Sequence, residues 1–173
     1  MNSDVKLVKP TIKYLEQIKE YQESFLKNKE FIHGSSSLDN YTNIEEWFQK
    51  LKIMENIETV PACHVPSSTF LLVNDADILI GMVSSRHTLN ENLKTIGGHV
   101  GYSIHPKYRK KGYGTKQLSL ALEECKKLNI KKVLLTCSSI NIGSKKIIEK
   151  NNGIYSDSNQ IKEEIVERYW ITL

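Results

Sequence analysis

Gly98-His99-Val100-Gly101-Tyr102-Ser103-Ile104-His105-Pro106-Lys107-Tyr108-Arg109-Lys110-Lys111-Gly112-Tyr113-Gly114-Thr115 contains an extended segment, a basic turn and the start of a helix. Gly97-Gly98 introduces His99 to Ile104 as a strand, and Pro106 ends it because the residue before a proline is steered out of the helical region. Downstream, Leu118, Ala121, Leu122, Cys125 and Leu128 recur at three- and four-residue intervals, the signature of one buried helix face. Lys132-Val133-Leu134-Leu135-Thr136-Cys137 then reads as a buried strand. Strand, basic turn, helix and strand make a βαβ unit. The first turn of its helix offers unpaired N–H groups and the positive end of the helix dipole, which suit phosphate oxygens. Glycines at 112 and 114 let an anion approach the main chain, and Arg109, Lys110 and Lys111 add positive charge.

Outward from this unit the pattern stays mixed. Val5-Lys6-Leu7-Val8 predicts a short strand before Pro10, and Thr11 is placed to cap a helix carrying Ile12, Leu15, Ile18 and Phe25. Asn43 with Glu46 three residues on resembles a capping box for a second helix with Ile44, Trp47, Phe48 and Leu51 on one side. Thr69 to Val73 and Ile78 to Ser85 predict a hairpin across Asn74-Asp75-Ala76-Asp77. Asn141 caps a helix reaching Lys150, Gly153 closes it, and Ile154-Tyr155 and Ile165 to Ile171 supply two last strands. The order is βααβββαβαββ, with four helices and no repeat or linker.

The chain's 173 residues suit one domain, residues 1–173, which buries roughly two-thirds of the unfolded chain's surface. Hydrophobic residues at 39% and charged residues at 25% place it among globular rather than disordered sequences. Nothing approaches a bilayer-spanning apolar run, and Met1-Asn2-Ser3-Asp4-Val5 shows no basic leader, so the expectation is a cytoplasmic protein with no membrane partner. Cys63, Cys125 and Cys137 are an odd number at wide spacing, which suggests neither a disulfide framework nor a metal site. His105 to Lys132 holds nine Lys or Arg against two Glu, a local +7 that leaves −3 elsewhere in a chain of net charge +4. That points to a small polyphosphate ligand. A nucleic-acid module is the rival, but it would need a recognition helix or an RNA-binding aromatic motif, and neither is present, so no nucleic-acid partner is expected.

The basic turn lacks the Gly-Lys-Ser/Thr ending of a Walker A loop and the third glycine of the dinucleotide fingerprint. It matches, on Arg109, Gly112 and Gly114, the [Arg/Gln]-x-x-Gly-x-[Gly/Ala] pyrophosphate loop of the GNAT acetyltransferase superfamily, at the place between fourth strand and third helix where that family has it. Asn141, Ser144 and Glu149-Lys150 resemble the family's later motif, and the element order is similar over essentially the whole chain. The run from Gly98 to Gly153 resembles bacterial proteins described only as acetyltransferases of unassigned substrate.

The resemblance implies a three-layer α+β fold: a central, mostly antiparallel sheet of about seven strands, splayed between strands four and five, with about four helices. It implies acetyl-CoA as cofactor, its pantetheine arm bonded to main chain at Tyr102, Ser103 and Ile104. The pyrophosphate would lie on Arg109, Lys110, Lys111, Gly112, Tyr113, Gly114 and Thr115, with Asn141 and Ser144 completing the site. Catalysis would be direct attack by a primary amine of a small molecule or peptide, helped by a base. The position often filled by Glu is here His99, whose ordinary pKa of about 6.5 suits that task, although a packed or solvent-facing strand histidine is the more ordinary reading. The tyrosine that serves many members as general acid is replaced by Ile148, leaving Ser144 or water for that role. The resemblance assigns acceptor contacts to the first two helices and last two strands, which bear Phe31, His33, Trp47, Tyr155, Tyr169 and Trp170, with Arg86, His87 and Glu91 before the fourth strand. An acyl-CoA-binding or sensing protein with little catalysis is the alternative, and pairing of the last strand would give a homodimer.

Overall fold

The computed structural model describes residues 4–173; residues 1–3, part of the segment read as lacking a leader, lie outside it. Seven strands and five α-helices follow in the order β1 (Val5–Val8), α1 (Leu15–Lys27), α2 (Ile44–Glu55), β2 (Ser67–Asn74), β3 (Leu79–Arg86), α3 (Glu91–Thr95), β4 (Val100–Ile104), α4 (Tyr113–Lys127), β5 (Lys132–Ser138), α5 (Ile142–Lys150), β6 (Ile154–Ile161) and β7 (Glu164–Thr172). Hydrogen bonding divides the strands into a sheet ordered β1-β2-β3-β4 and another ordered β5-β7-β6, every ladder antiparallel. The splay expected between the fourth and fifth strands is therefore a complete break between two ladders.

Alternation along the strands sorts their side chains into two cores. From β2 and β3, Leu71, Val73 and Met82 face α1 and α2, where they meet Ile18, Tyr21, Phe25 and Trp47. Phe70 and Val83 point the other way, to Leu118, Ala121, Leu122 and Cys125 of α4. The same α4 face touches Val133, Leu135 and Cys137 of β5 and Ile148 of α5, so one helix spans both sheets where they part. Trp47 is fully buried and donates its indole N–H to the Ser35 carbonyl at 2.8 Å, which anchors the segment between α1 and α2.

Three local expectations are corrected. Thr11 opens a single 3₁₀ turn rather than the helix, α1 starts at Leu15, and Ile12 is exposed while Tyr14 is buried. Glu91–Thr95, expected as a connection, is a fifth helix capped by Asn90, whose side-chain oxygen accepts from the Leu93 N–H at 2.9 Å. The sixth strand extends to Ile161, beyond the expected Ile154-Tyr155, because its polar residues are held by main-chain pairing to β7 and need no apolar face. No helix among the described residues is long and apolar enough to cross a membrane.

Candidate active site

The two sheets meet at His99. Its N–H donates to the Leu134 carbonyl at 2.7 Å, and its Nδ1 accepts from the Leu134 N–H at 2.9 Å. Gly98 permits this approach. It lies at φ +61°, and a Cβ there would stand 2.3 Å from the Leu134 carbonyl oxygen. Beyond this junction β4 separates from β5, and a cleft opens toward the Pro106–Thr115 turn.

The Cys125 and Cys137 thiols are buried; burial pushes each up to about 11, so neither is a ready nucleophile. His99 has a similar constraint. Burial first, then the charge of Arg86, lowers its pKa to about 4. Because Nδ1 accepts a main-chain proton, the ring is neutral with its hydrogen on Nε2. That arrangement suits a fixed strut better than the proton acceptor expected from the sequence.

Along β4 the antiparallel alternation decides which amides remain available. The His105 N–H donates to the Ile80 carbonyl at 2.9 Å, so residues 101 and 103 also face β3, while Tyr102 presents its N–H and C=O, and Ile104 its N–H, away from β3 toward the cleft. Ser103, expected beside them, is turned away: its main chain faces β3 and its hydroxyl bonds Tyr21 Oη at 3.0 Å. The Tyr102 side chain crosses the cleft instead, and its hydroxyl lies 2.8 Å from Ser144 Oγ in the first turn of α5. Burial pushes the Tyr102 hydroxyl's pKa well up. Asn141 fixes that turn by accepting the Ser144 N–H at 3.0 Å.

At the open end, Lys110 (φ +59°) and Gly112 (φ +84°) bring the chain into α4 through left-handed conformations. Gly112 is the N-cap and provides no side-chain acceptor. The first bond back is from the Lys116 N–H to the Gly112 carbonyl at 3.3 Å, which leaves the N–H groups of Gly114 and Thr115 without intrahelical acceptors. Gly114 also lets α4 approach α5, since a Cβ would come 2.5 Å from Ile147 Cδ1. Arg109 is held differently from expectation. Its guanidinium grips Glu30 at 3.1 and 2.5 Å and donates from Nε to the Ile104 carbonyl at 3.1 Å, joining α1's end to the turn. That contact holds the Glu30 carboxyl below its usual pKa. Lys110 and Lys111 stay exposed at the turn.

The N–H groups of Gly114 and Thr115 at a glycine-capped helix, with the β4 edge beside them, suit a nucleotide thioester. The description "Acetyltransferase (GNAT) domain" fits residues 6–153, most of the chain. The chain belongs to the GNAT acetyltransferase family. Solved GNAT structures of similar shape include an acetyltransferase from Salmonella typhimurium that modifies the N-terminal serine of a 50S ribosomal subunit protein (16% identity, covering 100% of this chain and 96% of that one, TM-score 0.67). A microcin self-immunity acetyltransferase in complex with acetyl-CoA and AMP aligns with 16% identity over 100% of this chain and 94% of that one, TM-score 0.67. The spermidine/spermine N-acetyltransferase of Vibrio cholerae aligns with 18% identity over 98% and 95%, TM-score 0.65. Among curated proteins none matches this sequence. At these identities the likeness is one of fold, and the neighbours' own acceptors differ widely.

On the other face of β4 the structure shows a cavity that sequence reading missed. It encloses about 490 Å³ between the α1–α2 segment, α2 and the end of β3, lined among others by Asp39, Lys50, His64, Ser84 and Arg86. Of the expected acceptor residues, Phe31, His33 and Arg86 reach it; Trp47 and Tyr169 are core, Tyr155 stacks edge-on against Tyr169, and the His87 ring meets Ser68 Oγ at 2.9 Å. Lys50 has no role in the sequence reading; only the return of the 31–39 segment over α2 encloses it.

Proposed function

We propose that this GNAT protein is an acetyl-CoA-dependent N-acetyltransferase that transfers the acetyl group directly to a primary amine of a small molecule or peptide. The observation that carries the reading is the cleft itself: the free edge of β4 leads to the unpaired N–H groups at the start of α4, beside a polar cavity on the other face. Tyr102 and Ile104 would hold the pantetheine arm through their main chain. Gly112, Gly114 and Thr115 would hold the pyrophosphate, with charge from Lys110 and Lys111. Arg109, held by Glu30, braces the turn. Acetyl-CoA, when bound, supplies an acetyl group already activated as a thioester.

The chain's own contribution is placement and a proton. Ser144 Oγ, fixed by Tyr102 and by the Asn141 cap, holds a hydrogen at the cleft that it can pass to the displaced thiolate while taking a replacement from water. A thiol of pKa about 8.5 leaves readily as the thiolate, so a hydroxyl hydrogen bond backed by water can stand in for the tyrosine position filled here by fully buried Ile148. His99 positions β4 against β5; the incoming amine then loses its proton to water in the cavity.

One observation favours the second reading, a protein that binds acyl-CoA but turns it over slowly: His99, the candidate base at the junction, is held neutral with its Nδ1 occupied. Thiol release from acetyl-CoA in the presence of a panel of amines separates the two. Amine-dependent release with a mass-confirmed N-acetyl product supports the transferase. Tight binding with release no faster than the background supports the sensor.

A further inference from the structure

The acceptor cavity contains two cations with no carboxylate partner. Arg86 Nη1 donates to the Gly97 and Gly98 carbonyls at 3.1 and 3.2 Å, and among the described residues Nη2 and Nε have no hydrogen-bond partner. Lys50 Nζ donates to the Ser36 carbonyl at 2.8 Å, with two hydrogens left over. Among the described residues, none of the ion pairs includes either one. Asp39 is the carboxylate of the lining, and it accepts the Ile32 N–H at 3.0 Å. Burial depresses both pKa values, with no compensating acid. A partly buried cation without a counter-ion is costly, and such a cost is usual where an anion is to be received.

The two cations are linked through short steps. Ser36 accepts from Lys50 through its carbonyl, while its hydroxyl approaches Ser84 Oγ at 3.5 Å. Ser84 and Arg86 are i and i+2 on β3, hence on one face, roughly 7 Å apart along the strand. The Arg86 guanidinium also lies over β4, since a Cβ on Gly101 would stand 3.7 Å from its Nη1. An anion held here therefore sits within about one strand spacing of β4, roughly 5 Å, and β4's far edge borders the acetyl cleft.

We propose that the acceptor is a small primary amine that carries its own oxyanion, a carboxylate or a phosphate, seated between Arg86 and Lys50 with its amine toward β4. This rests on the acetyltransferase reading of the cleft. A polyamine would bring further positive charge to a lining that already has two unpaired cations. Charge-assisted bonds of this kind make roughly a 10- to 100-fold difference in affinity.

The test is calorimetric titration with amines of matched two-carbon spacing: β-alanine for the carboxylate and phosphoethanolamine for the phosphate, against ethanolamine and 1,2-diaminoethane. Each is titrated into the wild-type protein, with and without coenzyme A, and into Lys50→Gln and Arg86→Gln. Arg86→Gln risks disturbing Gly97 and Gly98, so its fold is checked by circular dichroism; Lys50→Gln removes a single part-buried hydrogen bond to the Ser36 carbonyl and carries the test alone if the other fails. The expected result is binding of one or both anionic amines about 10- to 100-fold tighter than ethanolamine, with that margin lost in Lys50→Gln. Which of the two wins identifies the oxyanion. Equal binding of all four, tighter binding of the diamine, no binding of either anionic amine, or a margin that survives Lys50→Gln overturns the proposal. Coenzyme A binding is read in the same titrations, so failure of the cofactor site is seen separately from failure of the anion seat.

Discussion

Replacement of His99 by Asn separates a strut from a catalytic base. Asn keeps a side-chain oxygen that can accept the Leu134 N–H but cannot take up a proton. In the wild-type protein His99 is 7% exposed, its Nδ1 is engaged, and its pKa is lowered to about 4 against an ordinary value of about 6.5. The folded protein thus binds this proton less well than the unfolded chain does. Its stabilising contribution is present above about pH 6.5 and is lost as the pH falls through the interval between the two values. Integrated over that interval the loss is about 3 kcal/mol, of which about 2 kcal/mol has gone by about pH 5. Urea unfolding followed by circular dichroism at neutral pH and at about pH 5 measures it. The wild type should lose about 2 kcal/mol more on acidification than His99→Asn, which should be less stable at neutral pH but flatter with pH. The pH profile of amine acetylation should keep its shape in the variant, whereas a base would leave a missing limb. Equal acid sensitivity in both proteins, or a His99 ring resonance that titrates near its ordinary value, would refute the assignment.

Two further substitutions probe the cleft. Gly98→Ala places a Cβ 2.3 Å from the Leu134 carbonyl oxygen at a residue of φ +61°, so β4 and β5 must move apart; thermal unfolding should show a loss of at least about 1–3 kcal/mol, and an unchanged melting temperature would contradict the close approach. Ser144→Ala should lower kcat for amine acetylation by roughly 10- to 100-fold with little change in acetyl-CoA affinity, and Tyr102→Phe should have a smaller effect of the same kind, since Tyr102 acts by orienting Ser144. If both leave kcat intact, the proton comes from elsewhere.

The legible part of this protein is the part governed by local patterns. The basic turn from Arg109 to Thr115 is visible because glycine at 112 and 114 and an exposed helix start are properties of neighbouring residues. Strand and helix order is visible because alternation and three- to four-residue spacing mark buried faces. What fails is what depends on contacts distant in sequence. β6 beyond Tyr155 is polar and owes its form to β7. α3 is five residues long and rests on the Asn90 cap more than on any apolar face. His99 looks like a candidate base until Leu134, thirty-five positions on, is seen to occupy its Nδ1. Ser103 falls in the right strand, but only the β3 register shows that its amides face away from the cleft. Arg86 was read as a possible acceptor contact, yet its lack of a counter-ion, and Lys50 beside the same cavity, emerge only from the folded chain.

Acetyl-CoA binding to the glycine-capped start of α4 is the claim on which the rest depends, and isothermal titration of the wild-type protein beside Gly112→Val measures it most directly. Gly112 sits at φ +84°, so the variant's fold is confirmed by circular dichroism before titration. One-to-one binding by the wild type that falls at least tenfold in a folded Gly112→Val protein is the predicted result. Equal binding by both proteins, or no binding of acetyl-CoA by the wild type, would contradict it.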